Sequence, residues 1–97
     1  MDLSIILVNY NVKYFLEQAV ASALRAVQNL QVEIIVVDNN STDSSVEFIQ
    51  QKFPEIQLIA NKNNVGFSTA NNQGIHASSG RYILLLNPDT VVPEDTF

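Results

Sequence analysis

Ninety-seven residues, 46% hydrophobic and 15% charged, suit one small domain or part of a larger one and exclude a disordered chain. The formal charge of −5, with only five scattered Lys and Arg, leaves no basic patch and argues against nucleic acid as a partner. Cysteine is absent, so neither a disulfide framework nor a thiolate metal site is available.

The run Leu3 to Val8 is rich in branched residues and reads as a first strand. It is far too short for a membrane span, and Asp2 rather than a basic region precedes it, so the segment is expected to be soluble and intracellular. After the polar loop Asn9-Tyr10-Asn11, apolar residues recur at helical spacing: Val12, Phe15, Leu16, Ala19, Val20, Ala23, Leu24 and Val27. Glu33 to Val37 is a second buried strand, broken by the turn formers Asp38 to Asp43. Ser44 and Glu47 have capping-box spacing, with Ser41 and Thr42 as alternative N-caps. Val46, Ile49 and Phe53 mark the inner face of a short second helix that Pro54 stops.

A third strand is expected over Ile56 to Ala60, and a third helix over Gly66 to Ser78. The inner face of that helix is small: Ala70, Gly74 and Ala77 beside Phe67 and Ile75, with Gly80 suited to its C-terminal cap. Tyr82 to Leu86 is an unbroken apolar run, expected to be a strand buried on both faces. It ends at Asn87-Pro88, because proline has no N–H and biases its predecessor toward an extended conformation. The order β-α-β-α-β-α-β with short connections predicts a parallel, Rossmann-like α/β sheet with right-handed crossovers. Thr96-Phe97 stops where another element should start, so the chain reads as part of a larger domain.

In a parallel sheet the carboxyl ends of the strands share one edge, where ligands bind. Three polar loops should meet there: Asn9-Tyr10-Asn11, Asp38-Asn39-Asn40 and Asn87-Pro88-Asp89. Such a set suits a nucleoside diphosphate. Tyr10 could stack on a base, Asp38 could accept the N3–H of a uracil or thymine, and Asn39 offers both a donor and an acceptor. Asp89 could hold Mg2+ or Mn2+ together with diphosphate oxygens. Each residue also has a purely structural role open to it. Tyr10 fits a half-buried wedge, Asp38 a helix-proximal cap, and Asn64, Gly66 and Asn71 fit turn, cap and packing positions. Asn87-Pro88-Asp89 can simply close the strand, Thr42 and Asp43 can be caps, and His76 falls on a polar helix face. The first loop has no glycine and no acid, so the dinucleotide fingerprint and phosphoryl-aspartate chemistry both fail. Neither a P-loop nor a Ser-His-Asp set occurs.

These residues carry a resemblance. The chain resembles the N-terminal, nucleotide-diphospho-sugar-binding half of a family-2 glycosyltransferase with the GT-A fold, over residues 1–97. The matching pieces are Ser4 to Asn11, Ile35 to Asp43, Asn64 to Phe67 with Ala70 to Gly74, and Gly80 to Asp89, in the same order. The resemblance implies a donor-binding set of Val8, Asn9, Tyr10, Asp38, Asn39, Asn64, Gly66, Asn71, Asn87 and Pro88. Within it Tyr10 stacks near the base and Asp38 with Asn39 contacts it. Asp89, the final acid of an Asp-x-Asp motif, binds the metal. Asn87 stands where the first acid of that motif lies in the family, leaving Asp89 as the single carboxylate there. The Asn-Pro-Asp-Thr form is similar to the branch that includes bacterial rhamnosyltransferases.

The implied reaction is inverting displacement of the nucleoside diphosphate at the anomeric carbon. A divalent cation acts as a Lewis acid on the leaving diphosphate, and a carboxylate base from the acceptor-binding half, beyond Phe97, deprotonates the acceptor. The implied donor is a UDP- or dTDP-sugar and the acceptor a saccharide or lipid-linked saccharide. The implied place is the cytoplasm or the inner face of its membrane. Apart from the resemblance, an exposed sheet edge in this segment invites self-association, so a homo-oligomer is one expected state. A non-catalytic nucleotide- or metal-binding module shares these features. A nucleotidyltransferase-like enzyme would need a glycine-rich basic loop where Asn9-Tyr10-Asn11 stands.

Overall fold

Apolar strands alternating with amphipathic helices build a three-layer α/β/α arrangement, seen in a computed structural model that describes residues 2–26 and 31–86. Strand β1 spans Leu3–Asn9, helix α1 Lys13–Ala26, β2 Val32–Asp38, α2 Ser45–Lys52, β3 Gln57–Ala60, α3 Phe67–Ala77 and β4 Tyr82–Leu86. All strand pairs are parallel, in the order β3-β2-β1-β4. This is the predicted β-α-β-α-β-α-β sheet. The strand order turns between β1 and β4: from β1 the chain runs outward to β2 and β3, and α3 then crosses back to place β4 on the other side of β1.

The period of two along each strand divides the core between the two faces of the sheet. Ile5, Leu7, Ile34 and Val36 pack with Leu16, Ala19, Val20 and Ala23 of α1 and with Ile49 and Phe53 around α2. Ile6, Val8, Ile35 and Val37 pack on the other face with Ala70 of α3. Burying each of the larger of these side chains contributes about 1.5–3 kcal/mol. The short side chains of α3 let it lie close: a Cβ on Gly74 would stand 2.5 Å from Ile6 Cγ2.

Several expectations are corrected. Among the described residues β4 lies at the edge of the sheet and is not buried on both faces: α3 packs over β1 and β2, leaving Ile83 and Leu85 half-exposed. Phe15, at the start of α1, is also exposed, and Val27 lies outside the described residues. On α3 the inner face holds Ala70, Asn71 and Gly74, while Phe67 and Ile75 are exposed. Ser44 is the N-cap of α2 but forms no capping box; it adopts φ 65° and its side chain makes no cap bond. Gly80 does not cap α3, whose C-cap is the extended Ser78. Its glycine is needed for close approach, since a Cβ there would stand 2.5 Å from the backbone nitrogen of Ser4.

Candidate functional site

β1 ends at Asn9 and β2 at Asp38, and the two residues are register partners. Their side chains point to the α1/α2 face and bond to each other: Asn9 Nδ2 donates to Asp38 Oδ1 at 2.8 Å. The same amide donates to Ser41 Oγ at 3.1 Å, and that hydroxyl donates to Asp38 Oδ1 at 2.7 Å. Asp38 Oδ2 accepts the Ser41 N–H at 2.9 Å. The Asp38 carboxylate, only 2% exposed, thus accepts three protein bonds of the roughly four it can take. Asn9 is fully buried, and its Oδ1 has no partner among the described residues.

The lacing continues outward. Asn11 takes φ 54°, a left-handed conformation that asparagine tolerates, and this turns its N–H toward Ser41 Oγ at 2.9 Å. Asn11 Oδ1 accepts the Thr42 N–H at 2.7 Å. Asp43 caps two helices at once, accepting the Lys13 N–H at 3.0 Å and the Ser45 N–H at 3.1 Å, besides the Ser45 hydroxyl. Burial works against ionisation of Asp43, but the bonds from Ser45 and Lys13 outweigh it and hold the carboxyl below its ordinary value. The loops after β1 and β2 are therefore one bonded unit, and much of their polarity serves each other.

On the α3 side the same two loops leave a concavity of about 380 Å³, lined by Val8, Tyr10, Val12, Asn39, Asn64, Gly66 and Phe67. Small-molecule sites run from about 300 to 1,000 Å³. Asn39, one residue past Asp38, projects to the opposite face. Its Nδ2 donates to the Gly66 carbonyl at 3.2 Å, and its Oδ1 accepts from Asn61 Nδ2 at 3.0 Å. Asn61 is locked in turn by a reciprocal amide pair with Gln73 of α3, at 2.8 and 2.9 Å. Asn64 Oδ1 accepts the Gly66 N–H at 2.9 Å, shaping the turn into α3. A second concavity, of about 420 Å³, lies at the start of α1 between Asn11 to Phe15 and Asp43. It contains none of the predicted donor-binding residues.

The structure thus brings together Val8, Tyr10, Asn39, Asn64 and Gly66. Asn9 and Asp38 lie beside them but beneath the loops. Asn71 is buried on the sheet side of α3 and does not line the concavity. Asn87, Pro88 and Asp89 lie outside the described residues. The sequence does not mark Phe67 or the Asn61–Gln73 pair for this site: spacing puts Phe67 on the inner face of α3, and nothing local marks Asn61 and Gln73 as partners. Among the described residues no three His, Cys, Asp or Glu side chains cluster as a metal site, and the Asp38 carboxylate is largely committed. Those residues alone do not supply a donor set for a divalent cation. No described helix is long and apolar enough to cross a membrane.

Comparison with known proteins agrees with this fold. The sequence model of glycosyl transferase family 2 matches residues 4–97. The chain is 36% identical over 100 residues to the minor teichoic acid biosynthesis protein GgaB of Bacillus subtilis, covering 99% of this chain and 11% of that protein. It is 35% identical over 95 residues to the succinoglycan biosynthesis protein ExoO of Rhizobium meliloti, covering 97% of this chain and 27% of ExoO. Among solved structures it is similar to S. aureus TarS 1-349 in complex with UDP, with a TM-score of 0.87 at 20% identity, over 99% of this chain and 30% of that one. It is also similar to the mannosyltransferase PcManGT from Pyrobaculum calidifontis in complex with GDP-Man and Mn2+, with a TM-score of 0.80 at 20% identity. That match covers 94% of this chain and 28% of PcManGT. At such identity the structural likeness speaks to the GT-A fold alone.

Proposed function

Because the chain belongs to glycosyl transferase family 2, we propose that residues 1–97 are the donor-binding half of an enzyme that uses a nucleoside-diphosphate sugar. The enzyme transfers a hexose or deoxyhexose to the hydroxyl of a saccharide or lipid-linked acceptor, with inversion. It acts in the cytoplasm or at the inner face of the membrane, in the synthesis of a surface polysaccharide. What supports this is one observation above all. The concavity at the carboxyl edge of the sheet is lined by Tyr10, Asn39, Asn64 and Gly66, positions that the family resemblance independently assigns to the donor.

In this reading Tyr10 stacks on the base, uracil or thymine, and Asn39 presents one remaining acceptor and one remaining donor position to its edge. Asp38 and Asn9 act from beneath, fixing the loops that carry both. Asp89 supplies the protein's carboxylate to a divalent cation that accompanies the diphosphate and, when bound, stabilises charge on the leaving group. The catalytic base is supplied by the acceptor-binding half, so the 97-residue chain by itself transfers no sugar.

Calorimetric titration of the complete protein with UDP and dTDP tests the assignment. Tyr10→Ala and Asn39→Ala should each weaken binding, the former by about 1–3 kcal/mol, as for a lost base–aromatic stack. Unchanged affinity in both folded variants would remove the donor subsite from this concavity.

A further inference from the structure

We propose that Phe67 is a second aromatic wall of the base subsite, so that the donor's base is held between its ring and that of Tyr10. The proposal rests on the donor-binding reading above and adds a residue to it.

Spacing alone puts Phe67 on the same face of α3 as Ala70 and Gly74. Yet Ala70 and Gly74 are buried, whereas Phe67 is 62% exposed. The difference comes from position along the axis. α3 returns against the direction of the strands: Gly74 sits over Ile6, and Ala70 packs in the cluster of Val8 and Val37. Phe67 is one turn further on, about 4.5 Å closer to the carboxyl edge, where it lines the concavity with Val8 and Tyr10. Val8 and Val37, the last residues of β1 and β2 on this face, are buried in a cluster that does not include Phe67.

Gly66 fixes that placement. It has φ 88° and ψ 165°, a region open essentially to glycine alone, and a Cβ there would meet nothing within 4 Å. The glycine is therefore required by the turn, not by crowding. This turn delivers Phe67 as the first helical residue, and the Gly66 carbonyl at the same turn accepts from Asn39. Tyr10, half-exposed, lines the same space. The amide of Asn39 is held in one orientation by Gly66 on one side and Asn61, clamped by Gln73, on the other. Two rings and an oriented donor–acceptor pair suit a flat ligand with two π faces and a hydrogen-bonding edge, which is the chemistry of a nucleobase.

The test is calorimetry on the complete protein with UDP, dTDP and inorganic pyrophosphate as separate probes, each with Mg2+. Phe67→Ala should weaken the nucleotide that binds best by roughly five- to a hundredfold while leaving pyrophosphate affinity unchanged. Phe67→Tyr should retain nucleotide affinity, and Phe67→Leu, which keeps apolar bulk without a π face, should not. Wild-type nucleotide affinity in Phe67→Ala or Phe67→Leu, with Tyr10→Ala still impaired, overturns the second wall and leaves the donor site standing. An equal loss for pyrophosphate also overturns it. If the folded wild-type protein binds neither nucleotide, the donor reading itself falls.

Discussion

The amide of Asn9 and the carboxylate of Asp38, paired in register at the ends of β1 and β2, are joined by a 2.8 Å hydrogen bond in the buried interior. This bond is the root of the lacing between the first two loops, and Ser41 is shared by both residues. Asn9→Leu keeps the volume but removes a donor from a buried carboxylate. It should cost about 1–3 kcal/mol in urea unfolding and weaken nucleotide binding in the complete protein, because Tyr10 follows directly. Unaltered stability would mean that Ser41 alone suffices to hold Asp38.

Close approach of α3 to the sheet gives a second expectation. Gly74→Ala places a methyl 2.5 Å from Ile6 Cγ2, on a β-branched side chain held in the core. The helix must shift outward, at a cost of about 1–3 kcal/mol. Gly80→Ala should be the more damaging of the two, because its methyl would meet the Ser4 backbone where β1 pairs with β4. Thermal or urea denaturation of the two variants checks the order.

Acid should loosen this chain through two carboxyls. Burial opposes ionisation of Glu33, but bonds from Ser4, Ser79 and Gly80 outweigh it and hold the carboxyl below its ordinary 4.5. Asp43 is likewise held below its ordinary 3.8. A folded value below the unfolded one means that the stabilisation is present above the unfolded value and lost as pH falls through the folded one. Stability should therefore fall from about pH 5 downward. Glu33→Gln should be less stable than wild type at pH 7, and its stability should fall less steeply with acid, in urea melts across pH 3–7.

The metal is expected to enter with the donor. Asn87 is neutral, so Asp89 is proposed to carry the carboxylate that the cation meets. Asp89→Asn in the complete protein should abolish the enhancement of nucleotide affinity by Mg2+ or Mn2+, with folding little changed. By reciprocity, the nucleotide should then no longer raise metal affinity. Asn87→Ala should be milder, since a water can replace an amide. Retained metal enhancement in Asp89→Asn would return Asn87-Pro88-Asp89 to the role of a strand-closing turn.

Local pattern by itself determined the element order, the parallel sheet and the edge where the polar loops after β1 and β2 meet. The branched run Ile34 to Val37 reads as a buried strand, and the Leu16, Ala19, Val20, Ala23 stripe as a helix packed against it; both hold in the structure. Motif order determined the family. What only the tertiary structure decided is how the polar residues at that edge are shared out. Asp38 and Asn39 are neighbours in sequence, yet the alternation of a strand sends one to Asn9 and Ser41 and the other to Gly66 and Asn61. Which face carries which helices is set by strand order, a non-local property. The fates of Phe67 and β4 are likewise matters of position. The same apolar side chain is core where a helix lies over the sheet, and exposed where it precedes that contact or sits on a described strand that α3 does not cover.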